Sequence, residues 1–159
     1  MLKLGLSLSL SSIRPQGVWS PDDESSLEAW YQNAVGITLN GSDVSQWADS
    51  STNSYDMVQA TATEQPAYSA GVLTFVSADT NNLQTQNLQT SGQISLSGAF
   101  TIGIKMHPSS FNNVVIADNT TSNEFIKITA NNKIRIKTDG SVSDFTLDSG
   151  TFGDDYIIK

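Results

Sequence analysis

Glu124-Phe125-Ile126-Lys127-Ile128-Thr129-Ala130-Asn131-Asn132-Lys133-Ile134-Arg135-Ile136-Lys137-Thr138 is the stretch that decides the fold. Ile126 and Ile128 fall on one face of an extended chain, as do Ile134 and Ile136, while Lys127, Arg135 and Lys137 fall on the other. A period of two is the mark of a half-buried strand, because successive side chains point to opposite faces of a sheet. Asn131-Asn132 joins the two runs as a hairpin. Asp139-Gly140 supplies the next turn, ahead of a short run at Phe145–Leu147.

Working outward, the same grammar repeats. Phe100, Ile102, Ile104 and Met106 alternate with Thr101, Gly103 and Lys105, which predicts a strand over 100–106. Val114–Ala117 and Val72–Phe75 are short β-rich runs, and Ile37–Leu39 leads into a hairpin-type turn at Asn40-Gly41. Tyr156-Ile157-Ile158-Lys159 reads as the start of a further strand. One helical start stands out: Ser20-Pro21-Asp22-Asp23-Glu24 places an N-cap serine, a first-turn proline and first-turn acids in order. It predicts a short helix reaching Glu28 or Tyr31. Strands separated by polar turns, with almost no helical period and no internal repeat, predict an all-β antiparallel sandwich.

Composition narrows the function classes. The chain has 159 residues, enough for one domain with its own core. It has no cysteine, which excludes a disulfide framework or a thiolate metal site. A single histidine, His107, excludes any site needing two imidazoles from one chain. No apolar run approaches the length of a membrane span, so no membrane partner is expected. Between Pro15 and Ile104 there is no Lys or Arg, yet Asp22, Asp23, Glu24, Glu28, Asp43, Asp49, Asp56, Glu64 and Asp79 all lie there. The basic residues come later, at Lys105, Lys127, Lys133, Arg135 and Lys137. A net charge of -8 speaks against nucleic acid, whose affinity rests on neutralising phosphates.

The first ten residues place leucine at every even position: Leu2, Leu4, Leu6, Leu8 and Leu10. Met1, Lys3, Gly5, Ser7 and Ser9 occupy the odd ones. This is a strand with one apolar face; a signal peptide would need a continuous apolar core and a small-residue cleavage site. Such a strand either closes its own domain's sheet or lies against a neighbouring chain. The division that follows is an N-terminal arm over 1–19, with Leu2, Leu4, Leu6, Leu8 and Leu10 as docking residues, and a sandwich domain over 20–159.

Leu27-Glu28-Ala29-Trp30-Tyr31, Val44-Ser45-Gln46-Trp47-Ala48-Asp49-Ser50, Gln65-Pro66, Leu73-Thr74-Phe75 and Phe100-Thr101-Ile102 form an ordered set of landmarks. In order and spacing they resemble the opening half of concanavalin A-like lectin/glucanase (laminin-G-like) domains, found in many phage and bacterial surface proteins. The resemblance implies an antiparallel jelly-roll sandwich, with Trp30, Trp47, Asp49, Gln65, Pro66, Leu73 and Phe75 in its structural positions. Large aromatics fill sandwich cores, and an Asp after a Trp fixes a loop through backbone amides. Where the family continues its Leu-x-Phe strand with Asp-Gly, this chain reads Val76-Ser77-Ala78-Asp79. The family also runs through more strands than 159 residues provide here, so the sandwich is abbreviated or the protein continues.

The chemistry of that superfamily is missing. Its glucanases use Glu-x-Asp-x-x-Glu, which sets carboxylates on one concave strand face. None of Glu24, Glu28, Glu64 and Glu124 begins that pattern. There is no Gly-x-Ser-x-Gly, phosphate loop or dinucleotide fingerprint, and His107 before Pro108 reads as a turn residue. No cofactor is expected. Calcium is the one ion left open, through Asp22-Asp23-Glu24, Asp79, Asp118-Asn119 or Asp154-Asp155, although no EF-hand-like loop is present. Tyr31, Tyr55, Tyr68 and Asn81-Asn82-Leu83-Gln84 are the candidate sugar platform. With the resemblance, these features lead to the expectation of a non-enzymatic virion structural protein, in capsid decoration or a tail or fibre, bound to other virion proteins and to copies of itself. The alternative is a carbohydrate-binding module of a secreted or host-recognition protein, extracellular and facing a surface glycan.

Overall fold

The hairpin at Asn40-Gly41 joins the first two strands of the first sheet. The computed structural model describes residues 19–76, 86–109, 113–117, 125–130, 132–138, 141–146 and 156–158. β1 (Ile37–Asn40) and β2 (Asp43–Trp47) pair antiparallel, with Asn40 opposite Asp43. Gly41 therefore takes the first turn position, at φ 68°. That left-handed geometry suits glycine, which has no Cβ to clash. β2 is the centre of this sheet. It also pairs with β3 (Met57–Val58) and β4 (Ala67–Ser69). β4 turns through Ala70-Gly71 into β5 (Val72–Thr74), and β3 carries β6 (Gln89–Thr90) on its far side. Ala70 and Gly71 have φ of 50° and 82°, the two positive values that fit a tight hairpin to strand twist.

Val44, in the middle of β2, is fully buried beside fully buried Pro66. Burial of one valine of this kind stabilises by about 1.5–3 kcal/mol. Two glutamines are buried with them, and both are satisfied. Gln65 donates from Nε2 to the Gln59 carbonyl at 2.7 Å and accepts at Oε1 from Asn40 Nδ2 at 3.0 Å. Gln59 donates from Nε2 to Asn87 Oδ1 at 3.0 Å and accepts at Oε1 from the Thr61 amide at 2.9 Å. Among the described residues no buried side-chain nitrogen or oxygen lacks a partner. Buried amides cost stability only when unpaired, so this polar seam specifies the β2–β4 junction rather than weakening it.

The second sheet runs β11–β10–β9–β8: β8 (Asn113–Ile116), β9 (Ile126–Ala130), β10 (Lys133–Thr138) and β11 (Ser141–Thr146). Ile134 lies opposite Ile128 on one side and Phe145 on the other; Ile136 lies opposite Ile126 and Ser143. Arg135, on the reverse face, lies between Lys127 and Asp144. Ile126, Ile128 and Ile134 are buried. The face assignment made from the isoleucine and lysine alternation therefore holds in the folded chain. A third ladder joins β7 (Ile104–Met106) to β12 (Tyr156–Ile158), antiparallel.

Two expectations need correction. The helix from Ser20 shrinks to one 3-10 turn over Pro21–Asp23. Asp23 Oδ2 accepts the Ser20 amide at 2.9 Å, a capping-box contact that supports the turn, whereas Glu24 Oε1 accepts both the Ser26 amide and hydroxyl. Side chains that bond nearby backbone compete with helical propagation, and the chain leaves the helix at Glu24. The strand expected over 100–106 pairs only at 104–106, although the alternation continues outside the ladder, with even positions half-buried and odd ones exposed from 101 to 107. The architecture is all-β and antiparallel. The Leu2–Leu10 strand and the Asp139-Gly140 turn lie outside the described residues.

Gly36 and Gly41 give a clean test of this geometry. A Cβ on Gly36, at φ 70°, falls 2.8 Å from Ala48 Cβ, whereas one on Gly41 meets nothing within 4 Å. Gly41→Ala should cost about 1 kcal/mol from backbone strain alone. Gly36→Ala should cost clearly more, read as a larger fall in urea midpoint.

Candidate functional site

Trp30, Tyr31, Trp47, Asp49, Tyr55 and Asp56 meet in one cluster beside the end of β2. The cluster is held by carboxylates. Asp49 Oδ1 accepts the amides of Trp30 and Ser51, both at 2.8 Å. Its Oδ2 accepts the Ser51 hydroxyl at 2.6 Å and the Tyr55 amide at 3.0 Å. A carboxylate offers about four lone-pair sites, and all four are used. Asp56 adds a second link, accepting the Asp49 amide at Oδ1 (3.0 Å) and Gln46 Nε2 at Oδ2 (2.8 Å).

The aromatics are tied just as firmly. Trp47 Nε1 donates to the Gln32 carbonyl at 3.0 Å, and the Tyr31 ring tilts against Trp47 with centroids 5.7 Å apart. The Tyr31 hydroxyl donates to the Tyr55 carbonyl. Around them, the Ser50 amide donates to the Trp30 carbonyl at 2.7 Å, and Asn53 Nδ2 donates to the Leu27 and Glu28 carbonyls at 3.0 and 2.9 Å. The segment 27–32 has no ladder of its own, so these side chains replace one. Backbone polar groups that leave water need partners, and here the loop 49–56 provides them.

Electrostatics agree with a structural role. Burial pushes the Asp49 carboxyl up, but the Ser51 hydroxyl and the Trp30, Ser51 and Tyr55 amides more than offset it, leaving Asp49 below the usual carboxylate range. The Tyr31 hydroxyl is pushed up to about 12, first by burial and then by the charges of Asp49 and Asp56. Neither group is poised to exchange a proton near neutrality.

Of the candidate sugar platform, Tyr31 and Tyr55 meet in this cluster, and Tyr68 lies in the β4–β5 hairpin. Tyr31 is committed to Trp47 and Tyr55; a Cβ on Gly92 would sit 3.3 Å from the Tyr55 ring; Tyr68 pairs opposite Leu73 in the β4–β5 hairpin. Asn81–Gln84 lie outside the described residues. So do Asp79, Asp118-Asn119 and Asp154-Asp155 of the calcium candidates, and the docking residues Leu2, Leu4, Leu6, Leu8 and Leu10. Among the described residues no group of three or more His, Asp or Glu is placed to hold a metal ion. His107 follows β7 directly and is exposed. Phe75, a landmark expected in core or loop, is half exposed just past β5.

No known protein family, curated protein or solved structure matches this chain. Its functional residues must therefore be read from its own surface. Sequence reasoning found the role of Asp49 but missed Asp56 and Asn53. Both follow a Ser/Thr/Asn-rich run whose hydrogen-bonding targets depend on a fold that brings residue 53 against residue 27.

Asp49→Ala should lower stability by about 2–3 kcal/mol, since it strands several amides. A depressed folded value gives stability that is present above the ordinary carboxylate range and lost as pH falls through the Asp49 value. The gap between wild type and Asp49→Ala in urea midpoint should accordingly close in acid. Tyr31 gives the opposite sign at the alkaline end: its contribution is complete below about pH 10 and lost as pH rises towards 12. Absorbance titration at 295 nm should show one tyrosine ionising late, and Tyr31→Phe should remove it.

Proposed function

We propose that this chain is a non-enzymatic structural protein of a phage virion, with a concanavalin A-like jelly-roll sandwich as its body and residues 1–19 as its docking arm. It serves in capsid decoration or in the tail or fibre apparatus, among other virion proteins and copies of itself. The observation that carries the reading is the unbroken leucine alternation from Leu2 to Leu10. A strand with one continuous apolar face needs another apolar surface to cover it, and a neighbouring subunit supplies one in an assembled particle.

The cluster around Asp49 supports the non-enzymatic side. Its carboxylate has no lone pair left for a substrate, and the Tyr31 hydroxyl is already spent on Tyr55. The same commitments weaken the alternative of a carbohydrate-binding module, which needs aromatic faces and free amide or carboxylate partners in a groove.

Mass spectrometry of purified particles should find this protein as a stoichiometric component; particles lacking it would sink the proposal. Deletion of residues 1–14 should abolish incorporation while circular dichroism and the melting temperature of the sandwich stay near those of the full chain.

A further inference from the structure

We infer that the free edge of β11 (Ser141–Thr146) is the acceptor for the Leu2–Leu10 strand of a second copy of this chain. The inference rests on the docking-arm reading above and names the surface that the arm would find. β11 closes the four-stranded sheet and pairs with β10 through six consecutive residues without a register shift. All six residues are exposed. Among the described residues no strand pairs with its outer side.

The other sheet ends are protected in ways that β11 is not. β6 has two residues, β5, β7 and β12 have three each, and β1 and β8 have four with a register shift in each ladder. Short length and bulges are the usual means by which proteins blunt an edge, together with lysine and proline. β11 has no lysine, proline or bulge. Its one charge, Asp144, is clamped by Arg135 in a two-point contact, Nε to Oδ1 at 2.7 Å and Nη2 to Oδ2 at 3.0 Å. Val142 and Phe145 are each 52% exposed. Among the described residues β11 is thus the longest sheet edge without a partner strand, and it is regular and partly apolar.

The pattern of the arm fits that edge. Phe145 and Ser143 share the face of Ile134 and Ile136, and Val142 and Asp144 share the face of Lys137 and Arg135. A strand added beside β11 continues both faces, because alternation is preserved across a ladder. The leucines then extend the isoleucine layer next to Phe145. Lys3, Gly5, Ser7 and Ser9 fall on the charged face, where small residues clear the Arg135–Asp144 pair and a lysine meets an acid. Main-chain hydrogen bonds supply affinity in such strand addition, and the side-chain alternation sets register. Each copy carries one arm and one edge, so reciprocal exchange closes a two-fold dimer, and exchange passed on to a third copy builds rings or open arrays.

The absence of cysteine makes a direct test available. Single-cysteine variants of the full chain, Leu6→Cys and one acceptor variant, are mixed and treated with a short bis-maleimide. Leu6→Cys should crosslink between chains to Ser143→Cys several-fold more than to Val142→Cys, on the opposite face, or to Val72→Cys, on the β5 edge. Equal yields at all three acceptors, dominance of Val72→Cys, or crosslinking only within a doubly substituted single chain would overturn the inference. If deletion of residues 1–14 blocks incorporation but these crosslinks fail, the arm docks elsewhere and this inference falls alone. If the deletion leaves incorporation intact, it is the docking reading that falls.

Discussion

One carboxylate organises the front of this protein. Asp49 receives two amides, a hydroxyl and a third amide, and those donors come from three places in the chain: Trp30, Ser51 and Tyr55. The 27–32 segment joins no ladder, and its other links are scattered hydrogen bonds from Ser50, Ser51, Asn53, the Trp47 indole and the Tyr31 hydroxyl. Charge-assisted bonds are stronger than neutral ones, and a fully occupied carboxylate holds its donors in fixed directions. The Tyr31–Trp47 contact, the docking of Gly36 against Ala48 and the end of β2 all sit within reach of that one group.

Much of this was legible in the sequence because it is periodic. Ile126, Ile128, Ile134 and Ile136 alternate with Lys127, Arg135 and Lys137, and a period of two leaves only one way to place them on a half-buried sheet. Asn40-Gly41 announced its hairpin for a similar reason, glycine being tolerant of the left-handed turn position. The role of Asp49 was legible because an acid following Trp47 in a polar loop has few uses other than capping amides.

What was not legible depends on contacts between distant residues. Pro21 with Asp22 and Asp23 satisfies every local rule for a helix start, yet Glu24 turns its carboxylate to Ser26 and the helix ends after one turn. The expected alternation holds from Thr101 to Met106 but not at Phe100, which is exposed, and how much of it finds a partner strand depends on β12, some fifty residues on by the register of Ile104 with Ile158. Gln65 was singled out as a landmark and Gln59 was not; only the fold shows both buried, with Gln65 donating to the Gln59 carbonyl. The candidate site followed the same division. The anchor at Asp49 was readable, and the open edge at β11 was not, because an edge is defined by what fails to pair with it.

The protein thus separates into a front fixed by part-buried polar bonds and a sheet that, among the described residues, ends on β11, with an alternating leucine run preceding both in sequence. In the reading proposed above these parts are independent: the Asp49 cluster holds itself, and the arm covers β11. Amide hydrogen exchange on the full chain and on a chain lacking residues 1–14, at matched high concentration, tests this most directly. The account predicts that Trp30, Ser51 and Tyr55 keep their protection in both, while the β11 amides lose protection when the arm is gone. Joint loss at the cluster and the edge, or a β11 indifferent to the arm, would contradict it.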